Sequence, residues 1–193
     1  MNNNLKVLML FAENKERAFT IKKAAEALKM NYRIAYEEVM KLEKEGLITM
    51  TKHGNANVCA FHYTYTSKIV EIEEIRKREL FRNKDIRLVY KRVKEVKRPF
   101  YCLLLFGSYA NKTSRKGSDI DLCLITDDPE VTREVQALLG ITPVNVHLQD
   151  FTSGDFLAML KSREFNVGNE IVKNNVILYG TEIFYRMVDD VKQ

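Results

Sequence analysis

The sequence is poor in cysteine, has no long apolar run and shows no basic leader. Its three cysteines, Cys59, Cys102 and Cys123, are odd in number and too widely spaced for a C-x-x-C motif. That argues against a disulfide framework or a cysteine-based zinc site, and it points to a reducing compartment. The longest uncharged apolar run, Pro99 to Ser108, is about half of what a membrane-spanning helix needs. Met1-Asn2-Asn3-Asn4 lacks the basic region of a secretory signal, and Lys6 interrupts the short apolar stretch behind it. A cytoplasmic protein with no membrane partner is therefore expected. What is present is a chain of 193 residues, 46% hydrophobic and 30% charged, enough for one large domain or two small ones with a real core.

Charge divides the chain. Residues 1–65 carry 10 basic and 7 acidic side chains, residues 66–98 carry 12 and 6, and residues 99–193 carry 9 and 13. A basic front and middle joined to an acidic back predicts modules with different partners. Basic charge of this size permits phosphate contact, and it equally suits a solvated Lys/Glu-rich surface.

Residues 1–65 read as one module. A short apolar helix over 5–12 is followed by a second helix capped by Thr20, with Ile21, Ala24, Ala25 and Leu28 on one face. Asn31 caps a third, with Ala35, Val39 and Leu42 inward and Gly46 ending it. Two short strands, Leu47–Lys52 and Val58–Tyr63, flank a turn-forming cluster at 53–57. Thr20 to Ile48 resembles the winged helix-turn-helix family, most clearly at Ala24-Ala25-Glu26-Ala27-Leu28 and Leu42-Glu43-Lys44-Glu45-Gly46-Leu47-Ile48. The resemblance implies that the third helix enters the major groove of double-stranded DNA and that the hairpin reaches the flanking backbone. Tyr32, Arg33, Tyr36, Lys41 and Lys52 are the residues it would offer, against repulsion from Glu37 and Glu38. The same fold also serves for protein docking or dimerisation. His53 and His62 have no partner spacing that suggests a metal site.

Residues 66–98 form a basic helical connector with little Gly or Pro. The pattern Ile69, Ile72, Ile75, Leu80, then Ile86, Val89, Val93, Val96 predicts two helices broken near Asn83-Lys84-Asp85, with Asp85 capping the restart. A helix packed on the next domain fits this better than a dimerising coil, because the heptads are not sustained. A homodimer stays open as the second reading.

Residues 99–193 carry the chemistry. Phe100 to Phe106 is apolar throughout and of strand length, as expected for a strand buried on both faces. Gly107-Ser108 follows, then the ten residues Tyr109 to Ser118, then Asp119-Ile120-Asp121 entering a second apolar strand to Ile125. Two acids one residue apart in a strand share a face. Their repulsion is relieved most simply by a divalent cation, and oxygen-only ligation favours Mg²⁺ or Mn²⁺. A Gly-Ser turn supplies N–H groups, a hydroxyl and room for a phosphate.

Leu104-Leu105-Phe106-Gly107-Ser108-Tyr109-Ala110 with Gly117-Ser118-Asp119-Ile120-Asp121-Leu122 resembles the nucleotidyltransferase superfamily of DNA polymerase β and kanamycin nucleotidyltransferase, the minimal prokaryotic members most closely. The resemblance implies an α/β (α+β) fold with a mixed sheet flanked by helices. It implies Gly107 and Ser108 on the β- and γ-phosphates of a nucleoside triphosphate such as ATP, and Asp119 and Asp121 as catalytic metal ligands. Arg115 and Lys116 would neutralise phosphate charge or are ordinary loop residues. The third carboxylate usual in that superfamily is not found. The expected strand, Pro143 to Leu148, offers Asn145 and His147 instead, and Asp150 could substitute only if that strand ended early. His147 is the candidate base, against a plain strand histidine. Asp128 with Pro129 opens a helix, and two further helices, a strand at Val176–Tyr179 and a last helix capped by Thr181 close the chain. Two functions follow: nucleotidyl transfer to a hydroxyl, or a DNA-binding regulator whose back domain senses nucleotide or is inactive.

Overall fold

A computed structural model describes residues 1–192. The chain divides into two compact units, Met1–Ile72 and Glu73–Gln193.

In the first unit, α1 (Asn3–Ala12), β1 (Phe19–Thr20), α2 (Ile21–Ala27), α3 (Tyr32–Lys44), β2 (Ile48–His53) and β3 (Ala56–Phe61) follow in order, and the first turns of α4 (Ser67–Leu80) end it. Each helix starts where a side chain satisfies a backbone N–H that has no partner within the helix. Asn2 accepts from Leu5 N, Thr20 from Lys23 N and Asn31 from Arg33 N. Gly46, with φ +71°, turns the chain out of α3. The sheet is antiparallel in the order β1-β3-β2. The two-residue β1 was not legible in the sequence: Phe19 and Thr20 pair with Cys59 and Val58, and no periodicity can register in two residues. Leu8, Phe11, Ala24, Ala35, Val39, Leu42 and Leu47 are buried at its centre.

The second unit takes the rest of α4, then α5 (Lys84–Val93), β4 (Cys102–Phe106), α6 (Gly107–Ala110), β5 (Ile120–Ile125), α7 (Pro129–Gly140), β6 (Val146–Phe151), α8 (Ser153–Lys161), α9 (Val167–Lys173), β7 (Val176–Tyr179) and α10 (Thr181–Lys192). Its mixed sheet runs β6-β5-β4-β7, with β5 and β6 parallel and the other pairs antiparallel. Parallel pairing needs a crossover, and α7 supplies it. One face of the sheet (Leu103, Leu105, Ile120, Leu122, Leu124) packs with Ile86, Val89 and Val93 of α5 and Val131 and Val135 of α7. The other face (Cys102, Leu104, Cys123, Ile125) is buried as well, and α8 contacts β6 and α10 contacts β4. Being covered on both sides is why β4 and β5 read as unbroken apolar runs.

Two details differ from the sequence reading, while α5, within the expected connector, packs into the core of the second unit. The helix restart is capped by Asn83, whose Oδ1 accepts from Asp85 N and Ile86 N, so Asp85 sits in the first turn. Strand β6 begins three residues later than expected and runs to Phe151. The segment around Pro143 cannot donate to a ladder at that position, and pairing with β5 decides the start.

Glu73 and Arg76, both buried, form an ion pair in the second unit, with Arg76 Nη1 donating to Glu73 Oε1 at 2.7 Å. Tyr185 OH donates to the same carboxylate at 2.7 Å, and Arg76 Nη2 donates to the Asn175 carbonyl, tying α4 to α10 and to the start of β7. No helix among the described residues is long and apolar enough to cross a membrane.

Candidate nucleotide site

The end of β4 and the start of β5 meet side by side. Phe106 is registered against Asp121, so Gly107, the next residue, lies against the Asp121 side chain. A Cβ on Gly107 would stand 2.1 Å from Asp121 Oδ2, far inside any tolerated contact, and its φ of +69° is itself unfavourable for other residues. Gly107 is thus demanded twice, by conformation and by the closeness of the carboxylate. Gly107 and Ser108 form the first half of α6, a single turn.

The loop from Asn111 to Asp119 is held by its own hydrogen bonds. Thr113 N donates to the Ser108 carbonyl at 2.9 Å, Arg115 N donates to Ser118 Oγ at 2.9 Å, and Tyr109 OH donates to the Ser118 carbonyl at 3.3 Å. These contacts fix the residue immediately before Asp119. The hydrogen-bonding roles of Tyr109, Thr113 and Ser118 were not read from the sequence, because they depend on how the loop folds back on itself. Arg115 and Lys116 are exposed in this loop.

Asp119 is exposed just ahead of β5, and Asp121 is partly buried within it. The parallel register places His147 beside Asp121, with Nδ1 3.5 Å from Oδ1. That distance is longer than a good hydrogen bond. His147 is exposed, and Asn145, also exposed, lies just ahead of β6, its carbonyl accepting from Ile120 N at 3.0 Å. Asp150 pairs with Leu124 and therefore projects from the opposite face of the sheet to Asp121. Because β6 continues to Phe151, Asp150 cannot complete the acidic set.

An open cleft of about 700 Å³ runs beside this edge, and its walls include Asp119, Gln136, Thr142, Asn145 and His147. Neither Gly107 nor Ser108 lines it. Cys123, on the same face as Asp121, is buried, and burial followed by the charge of Asp150 pushes its thiol far up. It stays protonated and is no nucleophile.

The donor set suits a hard cation. Asp119 and Asp121 supply carboxylate oxygens, and no group of three or more His, Cys, Asp or Glu among the described residues converges as a complete cage. Mg²⁺ is commonly held by one or two carboxylates, with substrate phosphates and water filling the rest, so the two residues fit it.

In the first unit, Tyr32 and Tyr36 are exposed on α3, their ring centroids 6.4 Å apart. Arg33 pairs with Glu37 at 3.1 Å and Lys41 with Glu38 at 2.9 Å, while Lys52 is exposed near the β2–β3 turn. The lysine hydrogen bond holds the Glu38 carboxyl below its usual range.

Residues 86–151 match the family model of the nucleotidyltransferase domain. The matched segment contains β4, α6, β5, α7 and β6, and with them Gly107, Ser108, Asp119, Asp121 and His147. Among solved structures, one described as the crystal structure of the toxin-antitoxin with AMP-PNP is similar at 23% identity, over 53% of this chain and 79% of that chain, with a TM-score of 0.37. No curated protein matches.

Proposed function

We propose that the second unit is a Mg²⁺- or Mn²⁺-dependent nucleotidyltransferase that moves a nucleoside monophosphate from a triphosphate to an acceptor hydroxyl. The observation that carries this is the seat of Gly107 against the Asp121 carboxylate, with Asp119 two residues earlier, just ahead of β5, and all three inside the matched segment. In the reaction a bond forms between the acceptor oxygen and the α-phosphorus, the α–β bridging bond breaks, and pyrophosphate leaves. A bound divalent cation would supply charge neutralisation and alignment of the triphosphate. Asp119 and Asp121 hold it. Gly107 and Ser108 hold the outer phosphates, and Arg115 and Lys116 add positive charge at the rim. His147 takes the acceptor proton at Nε2, its other ring nitrogen facing Asp121.

The test is calorimetric titration of Mg²⁺-ATP and the other triphosphates into wild type and Asp119→Asn/Asp121→Asn. Metal-dependent binding that the double variant loses is the expected result. A folded wild-type protein that binds no triphosphate would sink the proposal.

For the first unit, three helices followed by a β-hairpin on a sheet of order β1-β3-β2 support a winged helix-turn-helix. Its role in duplex DNA binding is the second reading, with the back unit sensing nucleotide. The lack of a third carboxylate on the Asp121 face favours that reading, whereas the pairing of Arg33 and Lys41 with Glu37 and Glu38 weighs against it. Duplex binding that falls steeply with salt and weakens in Arg33→Ala supports it. Binding that is absent or independent of salt removes it.

A further inference from the structure

The end of the central sheet away from Gly107 carries features that nucleotide transfer does not use. Phe100, just before β4, has φ +63° and is 83% exposed. A bulky aromatic residue in the left-handed region is an outlier, and here no burial of the ring offsets its strain. The next residue, Tyr101, is buried and stacks on Tyr179 of the edge strand β7, with centroids 4.2 Å apart and planes 14° from parallel. Tyr179 remains 44% exposed. A small recess joins Tyr101 and Tyr179 to Tyr90 and Lys94 of the adjoining helical segment. Tyr90 in turn lies 4.6 Å from Phe81, and Lys77 Nζ is 5.8 Å from its ring centre.

These rings sit against the most basic part of the chain. Residues 77–98 contain ten Lys or Arg and three Asp or Glu. Some of that charge is already matched: Arg98 faces Asp128 and Glu134, Arg92 faces Glu95, and Lys77 faces Glu74. Lys91, Lys94 and Lys97 are exposed and make no ion pair among the described residues. A protein-docking face is depleted in charge at its centre, with Lys among the least favoured residues. Exposed flat rings interleaved with unmatched lysines match the requirements of bases and phosphates instead.

We infer that this end of the sheet binds single-stranded nucleic acid, with bases stacking on Phe100 and Tyr179 and phosphates held by Lys91, Lys94 and Lys97. Duplex DNA fits poorly, because its bases are already stacked and present no face to these rings. The surface lies at the opposite end of β4 from Gly107, about 17 Å along the strand. The inference does not rest on the transferase reading and needs neither triphosphate nor metal.

The test uses the full chain and fluorescence anisotropy with labelled single strands about 12 nucleotides long, in RNA and DNA, beside the matching duplex. Single strands should bind more tightly than duplex, in the absence of Mg²⁺ and nucleotide. Phe100→Ala and Tyr179→Ala should each lower affinity about tenfold, with Tyr179→Phe close to wild type. Lys91→Gln/Lys94→Gln should flatten the dependence on salt. Asp119→Asn should bind as wild type does. The inference is overturned by tighter binding to duplex, by absence of binding, by loss of binding in Asp119→Asn, or by ring variants that bind as well as wild type.

Discussion

Gly54, at the tip of the β2–β3 hairpin, and Gly107, at the end of β4, share a backbone conformation and little else. Their φ angles are +58° and +69°. Around Gly54 a Cβ would meet nothing within 4 Å, whereas around Gly107 it would meet the Asp121 carboxylate at 2.1 Å. The first glycine serves the turn alone. The second serves the turn and also a close approach between backbone and carboxylate, which is what an anion-and-cation site needs. A positive φ is therefore weak evidence for function until the space around it is known.

The comparison can be tested most severely by Gly107→Ala. Left-handed strain and the displaced carboxylate together should lower stability by about 3 kcal/mol in urea unfolding, with loss of Mg²⁺-ATP binding. Adding Asp121→Ala to that variant removes the clashing oxygen and should recover about half of the stability, with no return of nucleotide binding. Full additivity of the two changes would show that the carboxylate does not press on the turn.

His147→Ala should reduce turnover by about a hundredfold while leaving triphosphate binding in calorimetry unchanged. Unchanged turnover would remove His147 from the reaction and leave it a strand residue beside Asp121. Gly54→Ala should cost about 1 kcal/mol by the same unfolding measurement, with nucleotide binding intact. A loss as large as that of Gly107→Ala would erase the distinction between the two turns.

The smallest expected effect concerns the Asp127–Ser153 contact, which joins the end of β5 to the start of α8. Ser153 donates to Asp127 through both its hydroxyl and its backbone N–H, and the two hydrogen bonds hold the carboxyl below its usual range. Stability from a lowered carboxyl pKa is present above the unfolded value of about 3.9 and is lost as pH falls through the folded one. Ser153→Ala should thus lower stability by a few tenths of a kcal/mol at neutral pH, the group being exposed, and the difference should shrink in acid. A difference that grew in acid would contradict this assignment.

Local chemistry made much of the fold legible. Thr20, Asn31 and Asp128 cap the helices expected of them, because a cap is decided by a side chain and a backbone N–H two or three residues away. The apolar runs of β4 and β5 announced a sheet covered on both faces. The cap at Asn83 was misplaced by two residues, since Asn and Asp two positions apart offer the same chemistry and only the chain path selects between them.

What required the tertiary structure was everything set by pairing between distant segments. The start of β6 depends on its register with β5, and that register sends His147 to the Asp121 side and Asp150 to the other. A shift of one residue would have exchanged them, because successive side chains in a strand alternate faces. In the same way Gly107-Ser108 and Asp119-Ile120-Asp121 could be recognised along the chain as ingredients of a site. The antiparallel pairing of Phe106 with Asp121 brings them within ångströms, and proximity across a sheet is a property of register that local sequence does not carry.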